Sequence, residues 1–395
     1  MKYPKIYLTL DNCFALKRWT TPEQWMPLIK EIGFTSVQAS FDNEIDMLYA
    51  PDWFVDRWFK QVEEQERITG LRVDSFYSGY QTYRTAGLGH ADSDYADHLQ
   101  HNWIGKAIKN LGKRKSHMGM SFYAIRNEVI QNPESYARDY ENMIKRFSEV
   151  AKEAENAGIY FCVEAMYVPY QPPWTIKGTE KFLRDIYQLG GSPMYTTVDV
   201  GHMIGQRKFR KPSREQVKDS ILNAKPGQHA PEFWIGADNT VDMWRYAVGH
   251  KENADFYADN IMADMNRFEY MFSTDPADDD PYAWLEKLGC YSPILHMQQT
   301  NGIKASHAPF TRTENEKGII EGKKFLKALA KAYEQPDDPT MPPKTDEVYL
   351  AFELFFSNTA FGYDIVDQLK QTAEYWKQFV PEDGIRLDEL LAKLG

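Results

Sequence analysis

The chain has 395 residues, of which 43% are hydrophobic and 26% are charged, and its formal net charge is −11 at pH 7. An acidic chain without a basic stripe argues against nucleic acid or a membrane surface as partner, and no apolar run approaches the roughly 20 residues of a membrane helix. Three widely spaced cysteines, Cys13, Cys162 and Cys290, make neither a disulfide framework nor a zinc motif.

The first ten residues, MKYPKIYLTL, lack the long apolar segment of a signal peptide. Together with the cysteine spacing, this predicts a cytoplasmic protein.

Short apolar runs that predict strands alternate along the chain with amphipathic segments that predict helices. Strands are predicted over 5–10, 35–41, 72–78, 116–124, 159–166, 194–200, 293–299 and 348–356, and helices over 21–33, 133–158, 313–335 and 360–380. Eight strands with helices between them indicate an α/β protein built as a closed (β/α)8 TIM barrel. No glycine-rich fingerprint follows the first strand, which disfavours an open dinucleotide-binding sheet.

One segment breaks the even spacing, because strand six ends near 200 and strand seven begins near 293. We interpret residues about 205–290 as an insertion at the catalytic end of a single barrel domain spanning 1–395. A linker between two domains is the less favoured alternative, since strands and helices resume in phase afterwards.

Ionisable residues interrupt four successive apolar strands near their carboxyl ends. Strand five carries Glu164, strand six Asp199, strand seven His296 and strand eight Glu353. In a barrel these ends form one mouth, so the four side chains are expected to converge. Three carboxylates without a cation between them would repel one another and become protonated.

A divalent metal ion bound by Glu164, Asp199, His296 and Glu353 resolves this conflict. The oxygen and nitrogen ligand set suits Mn²⁺, which we predict, with Mg²⁺ and Co²⁺ as alternatives. Each residue alone is more often a satisfied or ion-paired core group. It is their regular placement on four consecutive strands that favours a metal site.

The motifs VEAM with Glu164, VDVGH with Asp199 and His202, LHMQQT with His296, and FEL with Glu353 resemble those of the xylose isomerase-like TIM barrels. The resemblance is to their sugar-phosphate isomerase and epimerase branch, in particular the ketose 3-epimerases. It implies one divalent metal on these four ligands and acid–base catalysis by Glu164 and Glu353. It also implies that His202 contacts the substrate.

Two positions depart from the free-ketose 3-epimerases. Tyr170 stands where those enzymes carry another glutamate, and no arginine follows His296 until Arg312. The segments MYVPYQPPWTI and HMQQTNG…SHAPFT are similar instead to the subgroup that includes L-erythrulose-1-phosphate 3-epimerase. Substrate contacts are therefore expected to differ from those of a hexose epimerase.

The segment after strand seven supplies the remaining predicted substrate contacts. Gln298 follows the metal histidine, and Lys304, His307 and Arg312 gather cations and a histidine in the next loop of an acidic protein. Phosphate groups in barrels often lie in the loops after strands seven and eight. The alternative is that Lys304 and Arg312 are solvated surface charges.

The sequence thus predicts an isomerase that epimerises a small ketose or ketose phosphate. A proton next to the carbonyl is removed through an enediolate that the metal stabilises. The alternatives are a metal-dependent lyase or dehydratase acting on a sugar or polyol, and a non-catalytic sugar-binding barrel. The predicted partner is a sugar or sugar phosphate, with no nucleic acid or membrane, and homo-oligomer formation stays open.

Overall fold

The barrel consists of eight parallel strands that close on themselves. The computed structural model describes residues 2–15, 17–41, 45–78 and 85–395. Its strands are β1 Lys5–Asp11, β2 Ser36–Ser40, β3 Arg72–Ser78, β4 His117–Met120, β5 Phe161–Glu164, β6 Tyr195–Asp199, β7 Ile294–Met297, β8 Glu347–Phe352 and the short β9 Ile385–Arg386. Each of β1 to β7 pairs with the next strand, and β8 pairs with β1, so the predicted (β/α)8 fold is confirmed.

The ninth strand, β9, is not one of the eight strands of the barrel. β9 runs antiparallel to the first two residues of β1, on the side that β2 leaves free, because β2 pairs only with Thr9–Asp11. The strands of the barrel are buried on both faces; all five residues of β2 and of β6, for example, are buried. Burial on both faces explains why their sequences are runs of apolar and β-branched residues rather than alternating patterns.

Helices cover the outside of the barrel. They are α1 Pro22–Ile32, α2 Asp52–Thr69, α3 Ser93–Leu99, α4 Lys106–Arg114, α5 Asn127–Ile130, α6 Pro133–Ala157, α7 Ile176–Gly190, α8 Arg214–Leu222, α9 Asp238–Val248, α10 Ala254–Arg267, α11 Pro281–Leu288, α12 Arg312–Lys317, α13 Gly322–Glu334, α14 Gly362–Lys377 and α15 Leu387–Leu394. Across the described part of the chain, no helix is both long enough and apolar enough to span a membrane.

The longest helix, α6, shows how local sequence sets its ends. The Asn132 side chain accepts a hydrogen bond from the Ser135 amide at the first turn, and Pro133 occupies the first helical position. Gly158 ends the helix with a φ of 70°, a conformation that favours glycine. These signals explain why the predicted bounds, 133–158, agree so closely with the structure.

The predicted helix over 313–335 is wrong, because the structure breaks it into α12 and α13. The break is held by the side chain of Gln299: its Oε1 accepts from Ile320 N at 3.0 Å, and its Nε2 donates to Ile320 O at 3.0 Å. A side chain at Gly318 would meet Gln299 Cδ at 2.1 Å. A side chain from the start of the loop that precedes α12 therefore overrides the local helical pattern.

The segment between β6 and β7 holds a 3₁₀ helix, His202–Phe209, followed by α8, α9 and α10. It contacts the barrel at several places; the Asp278 carboxylate, for example, accepts from the Ile176 amide at 3.0 Å. Tyr270 stacks on Tyr136 with 3.7 Å between ring centroids and donates to the carbonyl of Ile130, after β4. Arg207 donates to the carbonyl of Gly302, after β7, at 2.5 Å.

The last helix of that segment, α11, belongs to the outer layer, since it packs against α7, α13 and β6. The insertion over about 205–290 at the catalytic end stays a prediction.

Packing outside the barrel also fixes the strands that carry the site. Trp376 of α14 is fully buried and lies 5.6 Å from Phe352, the last residue of β8, and 5.3 Å from Phe310, measured between ring centroids. This aromatic cluster holds the end of β8 in place, one residue before Glu353.

Candidate metal centre

The predicted ligands come together at one end of the barrel. Glu164 is the last residue of β5, Asp199 is the last of β6, His296 lies in β7, and Glu353 follows β8. Asp199 and His296 are direct partners in the ladder between β6 and β7. One ligand atom from each of the four lies within 4.8 Å of the others.

The carboxylate of Asp199 is fully buried and accepts four hydrogen-bond contacts. Its Oδ1 accepts from the amides of Gly201 at 2.7 Å and His202 at 3.0 Å. The Gln298 side-chain amide donates to Oδ1 at 2.7 Å and to Oδ2 at 3.0 Å. These donors fix the orientation of the Asp199 carboxylate toward the other predicted ligands.

Among the four predicted ligands, two buried polar atoms have no hydrogen-bond partner within the described residues: Oε1 of Glu164 and Nδ1 of His296. They lie 3.3 Å from each other, and His296 Nδ1 lies 3.4 Å from Glu353 Oε2. Burying unpaired polar atoms is costly. A cation bound between them would satisfy both.

Charge in the pocket is shared between His296 and the carboxylates. Burial alone lowers the pKa of His296, but the nearby carboxylates of Glu353 and Glu164 raise it well above its usual value. Burial alone raises the pKa of Glu353, but the His296 imidazole, helped by His307 and His202, lowers it to about 2. The pocket therefore stabilises a positive charge.

The donor set fits a divalent cation. Three carboxylates and one imidazole give hard oxygen and nitrogen ligands, the set that Mn²⁺, Mg²⁺ and Co²⁺ accept. The convergence of the four side chains and the two unpaired atoms support the metal predicted from the sequence.

His202 lies beside the predicted ligands. Its Nδ1 is 3.3 Å from Glu164 Oε1 and its Nε2 is 3.8 Å from Asp199 Oδ2, and Nδ1 makes no hydrogen bond within the described residues. Its ring also faces the ring of Tyr167, 5.1 Å away.

Gln298 is buried and engaged at both ends of its amide. Besides its two contacts to Asp199, its Oε1 accepts from the amides of Ser306 at 3.0 Å and His307 at 2.5 Å. Gln298 therefore ties the loop after β7 to a predicted metal ligand. Its contact with substrate stays a prediction.

His307 reaches the same site from a strained backbone. Its φ is 44°, in the left-handed region that a histidine seldom adopts. The ring stacks on Phe355 at 4.0 Å, and its Nδ1 lies 3.3 Å from Glu353 Oε2. With Asp199 and His202, it forms a second group of close ligand atoms.

The two predicted cations differ in position. Lys304 is exposed on the loop that Gln298 holds. The side chain of Arg312 is 92% exposed at the start of α12 and lies 3.8 Å from Glu316 Oε1. Phosphate binding by either residue stays a prediction.

Sequence reasoning missed several residues of this site. Asp11 ends β1 and is buried, and burial and the charge of Glu353 raise its pKa to about 6. Its signal was the same as for the other acids, an aspartate at the end of an apolar strand. Gln38 and Tyr77, whose ring lies 4.1 Å from that of His296, carried no such signal, because only the fold brings them there.

Comparison with known proteins supports the resemblance. A segment of 70 residues is 41% identical to D-erythrulose 1-phosphate 3-epimerase of Brucella abortus (strain 2308). This segment is 18% of the chain and spans only 22% of that relative. No protein-family profile matches the chain.

Two solved structures share the fold over nearly their whole length. A xylose isomerase homologue from Rhodospirillum rubrum ATCC 11170 is 17% identical, with a TM-score of 0.65, over 94% of this chain and 99% of that one. D-psicose 3-epimerase from Clostridium cellulolyticum H10, solved with D-tagatose, is 12% identical, with a TM-score of 0.52, over 95% and 98%. The predicted resemblance is thus confirmed: the chain has the fold of the xylose isomerase-like TIM barrels, among whose structures are ketose 3-epimerases.

Proposed function

We propose that the protein is a metal-dependent epimerase of a small ketose or ketose phosphate. The observation that carries the proposal is the convergence of Glu164, Asp199, His296 and Glu353 within 4.8 Å at the carboxyl ends of four successive strands. The names of a partial relative and of a structural neighbour, an erythrulose-phosphate and a psicose 3-epimerase, support the reaction class.

These four side chains would hold one divalent ion, Mn²⁺ in our proposal, with Mg²⁺ and Co²⁺ as alternatives. When bound, the ion supplies Lewis-acid polarisation of the ketose carbonyl, which makes the neighbouring C–H more acidic. The carboxylate of Asp199 is already oriented by hydrogen bonds from Gly201, His202 and Gln298.

Glu164 and Glu353 carry the proton in this proposal. They extend from β5 and β8, which flank β6 and β7, so they approach the site from two sides. One carboxylate takes the proton from the carbon next to the carbonyl, and the C–H electron pair forms the enediolate. The other glutamate, which must be protonated when the substrate binds, then donates its proton to the opposite face of that carbon, which inverts its configuration; proton exchange with water afterwards restores both carboxyl groups.

His202 is proposed to donate a hydrogen bond to the substrate oxygen on which negative charge develops. Its Nδ1 makes no hydrogen bond within the described residues, so a donor remains for a ligand. His202 is only 2% exposed, and a bond to substrate would therefore form away from bulk water, where it is stronger.

For a phosphorylated substrate, the loop after β7 is the proposed phosphate site. Lys304 lies on this loop, and Arg207 reaches it from the segment after β6 through the carbonyl of Gly302. Arg207 and Arg210 both contact the Asp279 carboxylate, at 2.7 Å each, which holds the Arg207 guanidinium beside this loop. Arg207 thus joins Lys304 and His307 in the proposal, while Arg312 is exposed beside Glu316.

We also propose that the protein works in the cytoplasm, which its three free and buried cysteines support.

The test is product formation by the metal-stripped protein, with and without added Mn²⁺, on matched pairs of free and phosphorylated ketoses. Nuclear magnetic resonance (NMR) identifies the product. The proposal expects a 3-epimer that forms only when metal is present. Cleavage or loss of water would favour the lyase or dehydratase, and no turnover of any ketose would favour the non-catalytic barrel.

A further inference from the structure

A cavity of about 300 Å³ lies at the amino end of the barrel, opposite the candidate metal centre. Three of the residues that line it, His117, Tyr195 and Glu347, are the first residues of β4, β6 and β8. Side chains alternate along a strand, so Tyr195 faces the same side of β6 as Asp199. The four residue steps between them, at about 3.3 Å each, separate the cavity from the metal centre by about 13 Å.

Two carboxylates line this amino-end cavity, Glu155 of α6 and Glu347 of β8. Glu155 accepts from the Ser192 hydroxyl at 2.6 Å, and Glu347 accepts from the hydroxyls of Tyr7 at 3.2 Å and Tyr349 at 2.9 Å. Among the described residues, no Lys, Arg or His side chain forms an ion pair with either carboxylate. Carboxylates with only neutral donors around them favour the approach of a cation.

The nearby basic side chains do not neutralise these acids. Burial lowers the pKa of His117 to about 4, so at pH 7 its imidazole adds no positive charge to the cavity. Lys115 lies beside Gly158, another lining residue, but its ammonium donates to the carbonyl of Ala157 at 2.8 Å. The negative charge of the cavity is therefore left for a cation from outside the chain.

A buried tyrosine in the same wall has a hydroxyl to offer. Tyr195 is only 4% exposed, and its hydroxyl forms no hydrogen bond within the part of the chain that the structure describes. The hydroxyl of its neighbour Tyr160, in contrast, donates to Asp346 at 2.8 Å. Buried hydroxyls nearly always have a partner, so the Tyr195 hydroxyl also points to a ligand in the cavity.

The rest of the wall is aromatic. The ring of Tyr160 meets that of Tyr195 edge to face at 5.0 Å and lies 4.6 Å from the ring of His117, measured between centroids. Aromatic rings attract organic cations and pack against their carbon chains.

We propose that the amino-end cavity binds a small organic ammonium compound, such as a diamine. The ammonium group donates to the carboxylates of Glu155 and Glu347 and to the oxygen of Tyr195, and its carbon atoms pack against Tyr160 and His117. A volume of about 300 Å³ lies at the lower end of the range for small-molecule sites. This inference does not rest on the proposed metal-dependent function.

The experiment is calorimetric titration of the wild type with putrescine, a linear diamine, at pH 7 and low salt. We expect saturable binding of one putrescine molecule, and no binding of 1,4-butanediol, its neutral analogue. Glu155→Gln should weaken putrescine binding about tenfold or more, because a carboxylate acceptor is lost. Tyr195→Phe, which keeps the ring, should weaken it about fivefold.

Two control variants locate the bound diamine. Glu149→Gln changes a carboxylate on the same helix that accepts from the Gln100 amide at 2.9 Å, and it should leave putrescine affinity unchanged. Glu164→Gln removes a charge from the candidate metal centre and should also leave it unchanged. Circular dichroism confirms that each variant is folded.

Four results would each overturn the inference: no saturable binding of putrescine, equal binding of 1,4-butanediol, wild-type affinity in both Glu155→Gln and Tyr195→Phe, or a loss of affinity in Glu164→Gln instead. The last would place the diamine at the candidate metal centre.

Discussion

Replacing Gly201 with alanine should loosen the metal site by displacing Gln298. The φ of Gly201 is −95°, so its backbone conformation suits any residue and only space decides the outcome. An added Cβ would lie 2.2 Å from Gln298 Cδ, whereas ordinary contact begins at 3.4 Å. The amide must therefore move by about 1.2 Å, the difference of these distances, and it cannot keep its present hydrogen bonds.

The cost follows from those bonds. Losing the two that the amides of Ser306 and His307 donate costs about 1 kcal/mol each, and loosening the charged contacts to Asp199 costs about 2 kcal/mol more. The lower entropy of the unfolded alanine chain returns up to about 1 kcal/mol. We therefore expect a net loss of about 3 kcal/mol in the free energy of unfolding, with weaker Mn²⁺ binding.

Urea unfolding measures the free energy of unfolding, and calorimetry measures the Mn²⁺ affinity. The control is Gly105→Ala, whose φ of −61° is ordinary and whose Cβ would lie 3.4 Å from the flexible end of Glu153. It should change stability by less than about 1 kcal/mol. If Gly201→Ala is as stable as this control and binds Mn²⁺ normally, the account of Gln298 is refuted.

Three further outcomes are expected. Glu164→Gln and Glu353→Gln should each lower kcat by about 10²–10⁴ without unfolding the protein, because a carboxamide cannot carry the proton; near-normal turnover in either would place the proton carriers elsewhere. Lys304→Ala should lower kcat/KM for a phosphorylated ketose about tenfold or more and leave kcat/KM for the free ketose unchanged. Arg312→Ala should have a smaller effect, and equal losses on both substrates would argue against a phosphate site. Burial lowers the pKa of His117 to about 4. Between about pH 4 and pH 6.5 the folded chain therefore binds fewer protons than the unfolded chain, so the free energy of unfolding falls as the pH drops through that range. Between pH 7 and pH 5, the free energy of unfolding of His117→Gln should fall by about 2 kcal/mol less than that of the wild type, as measured by urea unfolding. An identical pH dependence of the two proteins would contradict this.

The barrel could be predicted well from the sequence because strands that are buried on both faces consist of runs of apolar and β-branched residues. The sequence predicted β3 to the residue but extended the fourth and fifth strands, over 116–124 and 159–166, beyond β4 and β5. The residues that follow these strands at the barrel mouth are also apolar, so hydrophobicity alone does not mark where pairing stops. The predicted helix over 313–335 was wrong because the side chain of Gln299, which lies before this segment in the loop after β7, binds the backbone of Ile320.

The candidate site could be predicted where an ionisable residue interrupts an apolar strand. Glu164 and Asp199 stand out because charged residues seldom occupy buried strands. Asp11 has the same position in β1, but the apolar run that predicts the first strand, 5–10, stops one residue before it. Gln38 and Gly201 could not be predicted, because their roles come from contacts between strands that one sequence does not reveal.

In the proposed function, this pocket moves a proton at the carbon next to a ketose carbonyl. The most direct measurement is solvent deuterium incorporation into a ketose or ketose phosphate, followed by NMR in D₂O with Mn²⁺ present. The account predicts deuterium at C3 of both epimers with the wild type, and a loss of about 10²-fold or more in that rate with Glu164→Gln. Epimer formation without deuterium at C3, or incorporation that persists unchanged in Glu164→Gln, would contradict it.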